Sequence, residues 1–311
     1  MSADPVRAIA DAVLYEGYIL WPYRRSALKN QRRFTFGGVF PPAHTRIHPD
    51  DPSSMRAEVL LRGGGEVQVT VRFLQIVQRT VLGPDGEPVD ERVVDGERFQ
   101  SWQEAVEREV TLMGSPSAPI AISAGDERDG FLLRSWEHLT GDVAVRSTRA
   151  RRAGVRRITV NVRNLTPFST GGSRQDALRS AFCSTHMLLR AAPGGSFVSS
   201  TDPPAELADE VAACRNVGCW PVLAGDPERA DTILATPIIL EDHPRIAAES
   251  PGDMFDSGEI DQLLVLNILA LTDQEKEEMA ASDPRAAEIL ARVGSLEPEQ
   301  LMALHGRATL R

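Results

Sequence analysis

Two stretches of this chain alternate apolar and polar residues with a period of two, and this feature most constrains the fold. In "VQVTVRF" (67–73) and "ITVNVR" (158–163), every second residue is valine, isoleucine or phenylalanine, and the residues between are polar. This spacing indicates β-strands with one buried face, because successive side chains of a strand point to opposite sides of the sheet. The chain is therefore expected to build its core from sheets.

The wider pattern predicts an α+β fold. Its core is an antiparallel β-sheet or sandwich of about seven strands, with short helical insertions and a C-terminal helical tail. "LLRGGGEVQV" is interpreted as a hairpin, "LGPDGEP" as a further turn, and "SWQEAVEREV" as helical, because Trp102, Val106 and Val110 recur at every fourth position. Four parts are predicted: an N-terminal helix with an aromatic and basic docking segment (1–50), a mainly β domain (51–170), an α+β part (171–256) and an acidic helical tail (257–311).

Helix signals are clearest at the two ends of the chain. Asp4 is expected to cap a helix that starts at Pro5 and extends to about residue 20, and "TDQE" (272–275) is a capping box. Residues 174–190 predict a helix followed by a strand. The chain has neither a signal-peptide pattern at its start nor an apolar run of about 20 residues, so a cytoplasmic protein without membrane insertion is expected.

The net charge of −10 disfavours nucleic-acid coating as the main role, since such binding needs many cations. One basic run, "RSTRARRAGVRRI" (146–158), lacks aromatic residues between its arginines. We interpret it as an exposed strand–turn–strand edge guarded by charge. No nucleic-acid partner and no cofactor are expected.

Cys183, His186, Cys214 and Cys219 are the residues that could form a metal site or a catalytic centre. Three thiolates and an imidazole suit tetrahedral zinc, but the four-residue gap in "CRNVGC" is unlike a tight metal knuckle, and buried thiols are common. Cys183 and His186 could act as nucleophile and base on one face of a helix; a regular strand would place them on opposite faces. Core thiols are favoured over both readings, and no metal-binding or catalytic residue is assigned.

The segment from Leu14 to Gly38 concentrates rings and positive charge. All three tyrosines of the chain occur here, and ten of its residues hold five cations and no acid. Tyrosine, tryptophan and arginine are enriched where protein partners bury a surface, although the rings could instead dock the N-terminal helix on the sheet. The predicted partner-binding residues are Tyr18, Trp21, Tyr23, Arg24, Arg25, Lys29, Asn30, Arg32, Arg33 and Phe34.

Several long motifs also resemble those of an uncharacterised bacterial protein family that is encoded in nickel-iron uptake hydrogenase gene clusters. They are "LYEGYILWPYRRSALKNQRRFTFGGVFP", "STH" with "FVSSTDPP", "ACRNVGCWPVL", the run from "ATPIILEDHPRI" to "LALTDQEKEEM", and the closing "RAAEILARVGSLEPEQLMALHG". The resemblance implies a role beside hydrogenase biogenesis, with a hydrogenase subunit or maturation factor as partner.

We therefore expect a non-catalytic accessory protein that acts in assembly or stabilisation by protein–protein binding. Two alternatives stay open. One is a metal-binding protein or enzyme that uses the four cysteine and histidine residues, and the other is a self-assembling scaffold, in which the cations meet the acidic tail of a second copy to form a homo-oligomer.

Overall fold

A computed structural model describes residues 4–15, 36–169, 171–245, 265, 268–282 and 284–296. In these residues, two antiparallel sheets pack face to face, and helices cover the outer side of the larger sheet. The predicted α+β class is confirmed, and of the two cores considered, an antiparallel sheet or a sandwich, the structure has two packed antiparallel sheets. The division of the chain at residues 51, 171 and 257 stays a prediction.

The smaller sheet has five strands in the order β13-β1-β11-β10-β7. Strands are numbered along the chain, and every pairing in this sheet is antiparallel. The five strands are β1 (Ser54–Gly63), β7 (Ser117–Ile122), β10 (Leu139–Arg149), β11 (Val155–Asn164) and β13 (Gly195–Phe197).

The larger sheet has eight strands, organised around the 16-residue strand β2 (Val67–Leu82). The other seven are β3 (Pro88–Val89), β6 (Trp102–Met113), β8 (Gly125–Asp129), β9 (Leu132–Trp136), β12 (Cys183–Ala191), β14 (Trp220–Leu223) and β15 (Thr232–Thr236). The order is β14-β15-β12-β2-β9-β8, and β3 and β6 also pair with β2. A separate small ribbon joins β4 (Glu91–Val94) and β5 (Glu97–Gln100).

The main core lies between the two sheets and is built by the alternation seen in the sequence. Val69, Val71 and Phe73 of β2 are fully buried there and face Val160 and Val162 of β11. The predicted apolar faces of both strands are thus confirmed. Because each strand presents alternate residues to the core, the polar residues of β11 point to the outer side of the smaller sheet.

Besides a short 3-10 helix at Ala205–Leu207, six α-helices are described, and the first and the last two cover the outer face of the larger sheet. They are α1 (Pro5–Tyr15), α2 (Pro42–Thr45), α3 (Arg174–Arg179), α4 (Ala208–Ala212), α5 (Asp273–Ser282) and α6 (Pro284–Gly294). α1 starts as predicted, with Asp4 Oδ1 accepting a hydrogen bond from Val6 N at 3.1 Å. The capping box before α5 is also confirmed, since Thr272 and Glu275 bond each other reciprocally.

The predicted hairpin at residues 60–69 is wrong. β1 and β2 follow each other in sequence but belong to different sheets: β1 pairs with β11 and β13, and β2 pairs with β12 and β6. The glycines form an arch from one sheet to the other. Gly63 has a φ of +80°, and a Cβ there would lie 2.2 Å from Gly194 O. Both strands therefore place their apolar faces in the same core instead of side by side.

The predicted helix at "SWQEAVEREV" is also wrong, because Trp102 to Val110 lie in β6 and pair with β2 from Val71 to Arg79. A spacing of four residues brings side chains to one side of a helix, but four is also twice the strand period. The sequence pattern is therefore consistent with both structures. Strands also number fifteen in the described part of the chain rather than about seven, since short ones such as β3 leave little signal.

Strands from both sides of residue 170 share the larger sheet. β12, which follows the short helix α3 as expected from residues 174–190, pairs directly with β2.

The arginine-rich run at 146–158 forms the β10–β11 hairpin, as predicted. Its outer end extends beyond β7, which pairs with β10 only from Leu139 to Ala144.

Candidate functional site

The predicted partner-binding residues, from Tyr18 to Phe34, all lie outside the described residues. The structure does describe the residues on either side, Tyr15 at the end of α1 and Phe36 at the start of the next described stretch. Both flanking positions lie against β12 and its neighbours. The candidate site is therefore built from these two ends.

A bulge in β12 determines the local geometry. Cys183 pairs with Leu74 and His186 pairs with Arg72, so that two residues, Ser184 and Thr185, oppose one residue of β2. Ser184 has a φ of +50°, a conformation that is uncommon for residues other than glycine. Because of the extra residue, Cys183 and His186 lie on the same side of the sheet, whereas a regular strand would separate them.

Phe36 to Val39 join the sheet beside this bulge. Ser184 N donates to Phe36 O at 3.2 Å, Thr185 N donates to Gly37 O at 2.9 Å, and Val39 forms a two-way bridge with Phe182. β15 ends at Thr236, where Pro237 follows and has no backbone N–H to continue the ladder. Phe36 to Val39 thus lie beside the start of β12, where β15, which ends at Thr236, no longer pairs with it.

A groove of about 240 Å³ opens at this junction, and we name it the Trp220 groove. Trp220 is 47% exposed and Phe36 is 41% exposed, so both rings are accessible to a partner. Ile239, two residues beyond Pro237, is 72% exposed. The groove is lined by Phe36, Gly37, Gly38, Phe40, Asp50, Asp51, Pro52, Ser54, Met55, Gly218, Trp220 and Pro237.

Trp220 occupies the first position of β14, the strand at one edge of the larger sheet. Pro221 has no N–H group and so blocks further strand pairing at that edge. Leu223 N on the same strand is already satisfied by Asp242 Oδ1 at 2.8 Å. A partner at this edge would therefore bind through side chains and not by adding a strand.

The other flank, at Tyr15, is fixed by polar contacts. Tyr15 is 4% exposed, and its hydroxyl donates to Glu107 Oε1 at 2.7 Å. The Arg285 guanidinium lies 3.7 Å from the centre of the tyrosine ring, a cation–π arrangement that connects α6 to α1. Tyr15 thus docks the N-terminal helix on the sheet, which was one of the two roles considered for the rings.

Arg72 lies beneath this contact and is 1% exposed. Its Nη2 lies 2.6 Å from Asp11 Oδ1 and 3.1 Å from Glu107 Oε2, and its Nε lies 3.5 Å from Glu109 Oε2. A buried guanidinium needs such partners because removing it from water is costly. The arginine therefore joins α1 to β2 and β6.

His186 faces Arg72 across the strand pair and is completely buried. Burial lowers the pKa of His186 to about 4, against the weaker opposing effect of Ser184 O, which lies 3.1 Å from Nδ1. A carbonyl only accepts, so Nδ1 carries the proton of the neutral ring. Nε2 of His186, Oγ of Ser184 and Nη1 of Arg72 have no hydrogen-bond partner in the described structure.

The structure does not assemble the four residues proposed for metal binding. Among the described residues, no three histidine, cysteine, aspartate or glutamate side chains lie close enough to hold a metal ion. Cys183 and His186 share a face but are both inaccessible, and Nε2 of His186 does not bond to the thiol. This pair lacks the contact that a nucleophile and its base require.

The other two cysteines lie outside the strands, Cys214 just after α4 and Cys219 directly before β14. Cys219 Sγ contacts Arg56 O at 3.2 Å, and burial raises the pKa of its thiol to about 12. Burial also raises the pKa of Cys214, whose Sγ contacts Glu210 O. Zinc binds thiolates, so the raised pKa of both buried thiols disfavours metal binding at either one.

Sequence reasoning missed the Trp220 groove. The sequence analysis assigned no role to Trp220, which occurs there only as part of the motif "ACRNVGCWPVL". The residues that line the groove come from four separate stretches of the chain. The available signal was a tryptophan directly before a proline in a short apolar run.

No described helix is long and apolar enough to cross a membrane. No family model matches this chain, and a search of curated proteins finds no match.

Proposed function

We propose that this chain is a non-catalytic, cytoplasmic accessory protein of a nickel-iron hydrogenase system that binds a hydrogenase subunit or maturation factor. The observation that carries the proposal is the Trp220 groove, where exposed rings flank the point at which the predicted docking segment rejoins the sheet. The sequence resemblance supplies the identity of the system. The groove supplies a surface suited to a protein partner.

The chemistry of this region fits a partner with an acidic surface. The segment Arg24–Arg33 carries five cations without an acid, and Phe36 follows it closely. Tryptophan and arginine contribute disproportionately to binding energy at protein interfaces, with rings filling pockets and guanidinium groups pairing with carboxylates. We infer that Trp220 and Phe36 provide the apolar centre and that the arginines provide the charged rim.

The alternative that uses Cys183, His186, Cys214 and Cys219 has less support. Burial raises the pKa of the Cys214 and Cys219 thiols, and Cys183 and His186 are sealed from solvent. A protein-binding role needs none of these groups to react. The self-assembling scaffold becomes an outcome of the binding test, since a second copy also carries acidic surface.

Reversal of the charge on the docking segment tests the proposal. A tagged chain with Arg24, Arg32 and Arg33 changed to Glu should recover at least about tenfold less hydrogenase-system protein from its host than the wild type does, because like charges then face each other. Arg128, Arg229 and Arg245 changed to Glu provide a variant with the same charge change elsewhere. Equal recovery by the docking-segment variant and the wild type would defeat the proposal, and light scattering would report whether only a second copy is bound.

Trp220→Ala is expected to weaken the same complex about 30-fold, because loss of a central ring at an interface commonly costs about 2 kcal/mol or more. The fold should persist, since nearly half of the side chain is exposed. Binding can be measured by surface plasmon resonance with the purified partner. Met113→Ala, which removes a 66% exposed apolar side chain elsewhere, is the control and should leave affinity unchanged.

A further inference from the structure

The β10–β11 hairpin carries six arginines that have no carboxylate partner in the described part of the chain. Arginines elsewhere in this acidic protein are commonly paired, as Arg79 is with Glu104 and Arg163 is with Asp142. On the hairpin, the guanidinium groups of Arg156 and Arg157 bond to a hydroxyl, to backbone carbonyls and to the Cys214 thiol, but to no carboxylate in the described part of the chain. The six residues are Arg146, Arg149, Arg151, Arg152, Arg156 and Arg157.

The outer face of the smaller sheet has a cavity of about 460 Å³ beside this hairpin. Arg146 of β10 is opposite Thr159 of β11, which is opposite Glu58 of β1. The adjoining row across the same three strands is Ala144, Asn161 and Arg56. Small side chains thus form the floor, and arginines stand on strands that are about 10 Å apart.

A second cavity of about 300 Å³ continues from the first and shares Thr148 and Arg157 with it. It reaches α4, where Glu210 Oε1 and Oε2 accept hydrogen bonds from the backbone N–H groups of Arg152 and Arg151. Glu210 is thereby occupied in holding the hairpin. The guanidinium groups of Arg146, Arg149 and Arg151 bond to no group in the described part of the chain and stay available to a ligand.

Glu58 balances one of the charges in the larger cavity. Burial acts to raise its pKa, but hydrogen bonds from Arg56, the Arg215 backbone and Thr159 together lower it, so the carboxylate is ionised. Arg56 bonds to this carboxylate through Nη2, and its buried Nε has no partner. Three guanidinium groups, those of Arg56, Arg146 and Arg157, against one carboxylate leave two positive charges.

The geometry points to a binding site for a small phosphate monoester. A monoester carries a charge close to −2 at pH 7, which matches the cavity, and guanidinium groups bind phosphate oxygens in a bidentate manner. A volume of about 460 Å³ lies within the range of small-ligand pockets. The second cavity offers room for the organic part of the ester.

The lining disfavours larger anions. No lining residue of either cavity is aromatic, so a single-stranded nucleic acid would find no surface for base stacking. A protein segment would need apolar anchor pockets, and the residues that line the larger cavity are mostly polar or charged. This site shares no lining residue with the Trp220 groove, although both include residues of β1, and it does not depend on the proposed function.

The test is isothermal titration of the full chain with inorganic phosphate and, separately, with phosphoserine. Saturable one-to-one binding is expected, and phosphoserine should bind more tightly than inorganic phosphate because the second cavity accommodates its organic part. Arg146→Gln should weaken phosphoserine binding about tenfold, because one charge-assisted bidentate contact is lost. Arg152→Gln removes the same charge from the same hairpin but outside the lining residues, and it should have no effect.

Three results would overturn the inference. The first is no saturable binding of either phosphate probe, and the second is equal weakening by both variants, which would indicate only the general field of the hairpin. The third is a stronger response to malonate or to a single-stranded oligothymidine than to phosphoserine. Arg146 is exposed, so circular dichroism should find both variants folded.

Discussion

Phe182→Ala is expected to lower the free energy of unfolding by about 3 to 5 kcal/mol, the usual cost of removing a buried ring. Phe182 is fully buried, and its ring centre lies 4.7 Å from that of Phe73. It also fills the space above Gly141, where a Cβ would lie only 2.7 Å from the ring. The rigid surroundings cannot close over the cavity. Urea denaturation at pH 7 measures the loss.

Phe182→Leu keeps most of the volume and should lose considerably less stability than Phe182→Ala. Phe131→Ala is a second control, because that ring is partly exposed and packs edge-on against Phe99 near the sheet margin. If Phe182→Ala lost less than about 1 kcal/mol, the packing of β12 against the smaller sheet would be described wrongly.

Between pH 7 and pH 4, the free energy of unfolding of the wild type is expected to fall by about 3 kcal/mol more than that of His186→Gln. The pKa of His186 is about 4 in the folded chain, and an unfolded histidine has a pKa near 6.5. Between these values the unfolded state binds more protons, so stability falls as pH falls. Above the unfolded pKa the contribution is constant.

The measurement is urea denaturation of both proteins at several pH values from 7 to 4. Glutamine can donate to Ser184 O as the ring does, which keeps the comparison close to isosteric. Parallel stability curves for the two proteins would contradict the burial of His186. An NMR titration of the His186 ring in the wild type provides an independent pKa. A normal histidine pKa in that titration would also contradict the burial of His186.

The sandwich could be predicted because its core strands alternate so regularly. Val69, Val71 and Phe73 lie where their period of two places them. The error at Gly63–Gly65 has a physical cause: glycines permit a tight hairpin and an arch between sheets equally well, and only the pairing partners distinguish them. Those partners, β11 and β12, are distant in sequence.

The candidate site was less accessible to sequence reasoning. The bulge that brings Cys183 and His186 to one face depends on Ser184 at positive φ, and serine gives no warning of such a conformation. Arg72 occupies a polar position of an alternating strand, and nothing in the sequence shows that α1 covers it. Long-range packing decides both features.

The sequence allows only part of the arrangement of charges on the outer face of the smaller sheet to be predicted. The prediction of an arginine-guarded hairpin was correct in its secondary structure. The cavity beside it requires Arg56 and Glu58 from β1, whose register against β11 the sequence does not reveal. The proposed role of the arginines therefore depends on residues from β1, β10 and β11 and not on the arginine-rich run alone.

The most direct test of the central proposal is the composition of the complex that the tagged wild-type chain forms in its native host. Affinity purification under anaerobic conditions, with mass spectrometry of proteins and elemental analysis on the same eluate, measures both partner and metal. The proposal predicts hydrogenase subunits or maturation factors in near-stoichiometric amount, without metal that belongs to this chain. A chain that elutes alone would contradict it, and stoichiometric zinc, nickel or iron on that lone chain would favour the cysteine and histidine alternative.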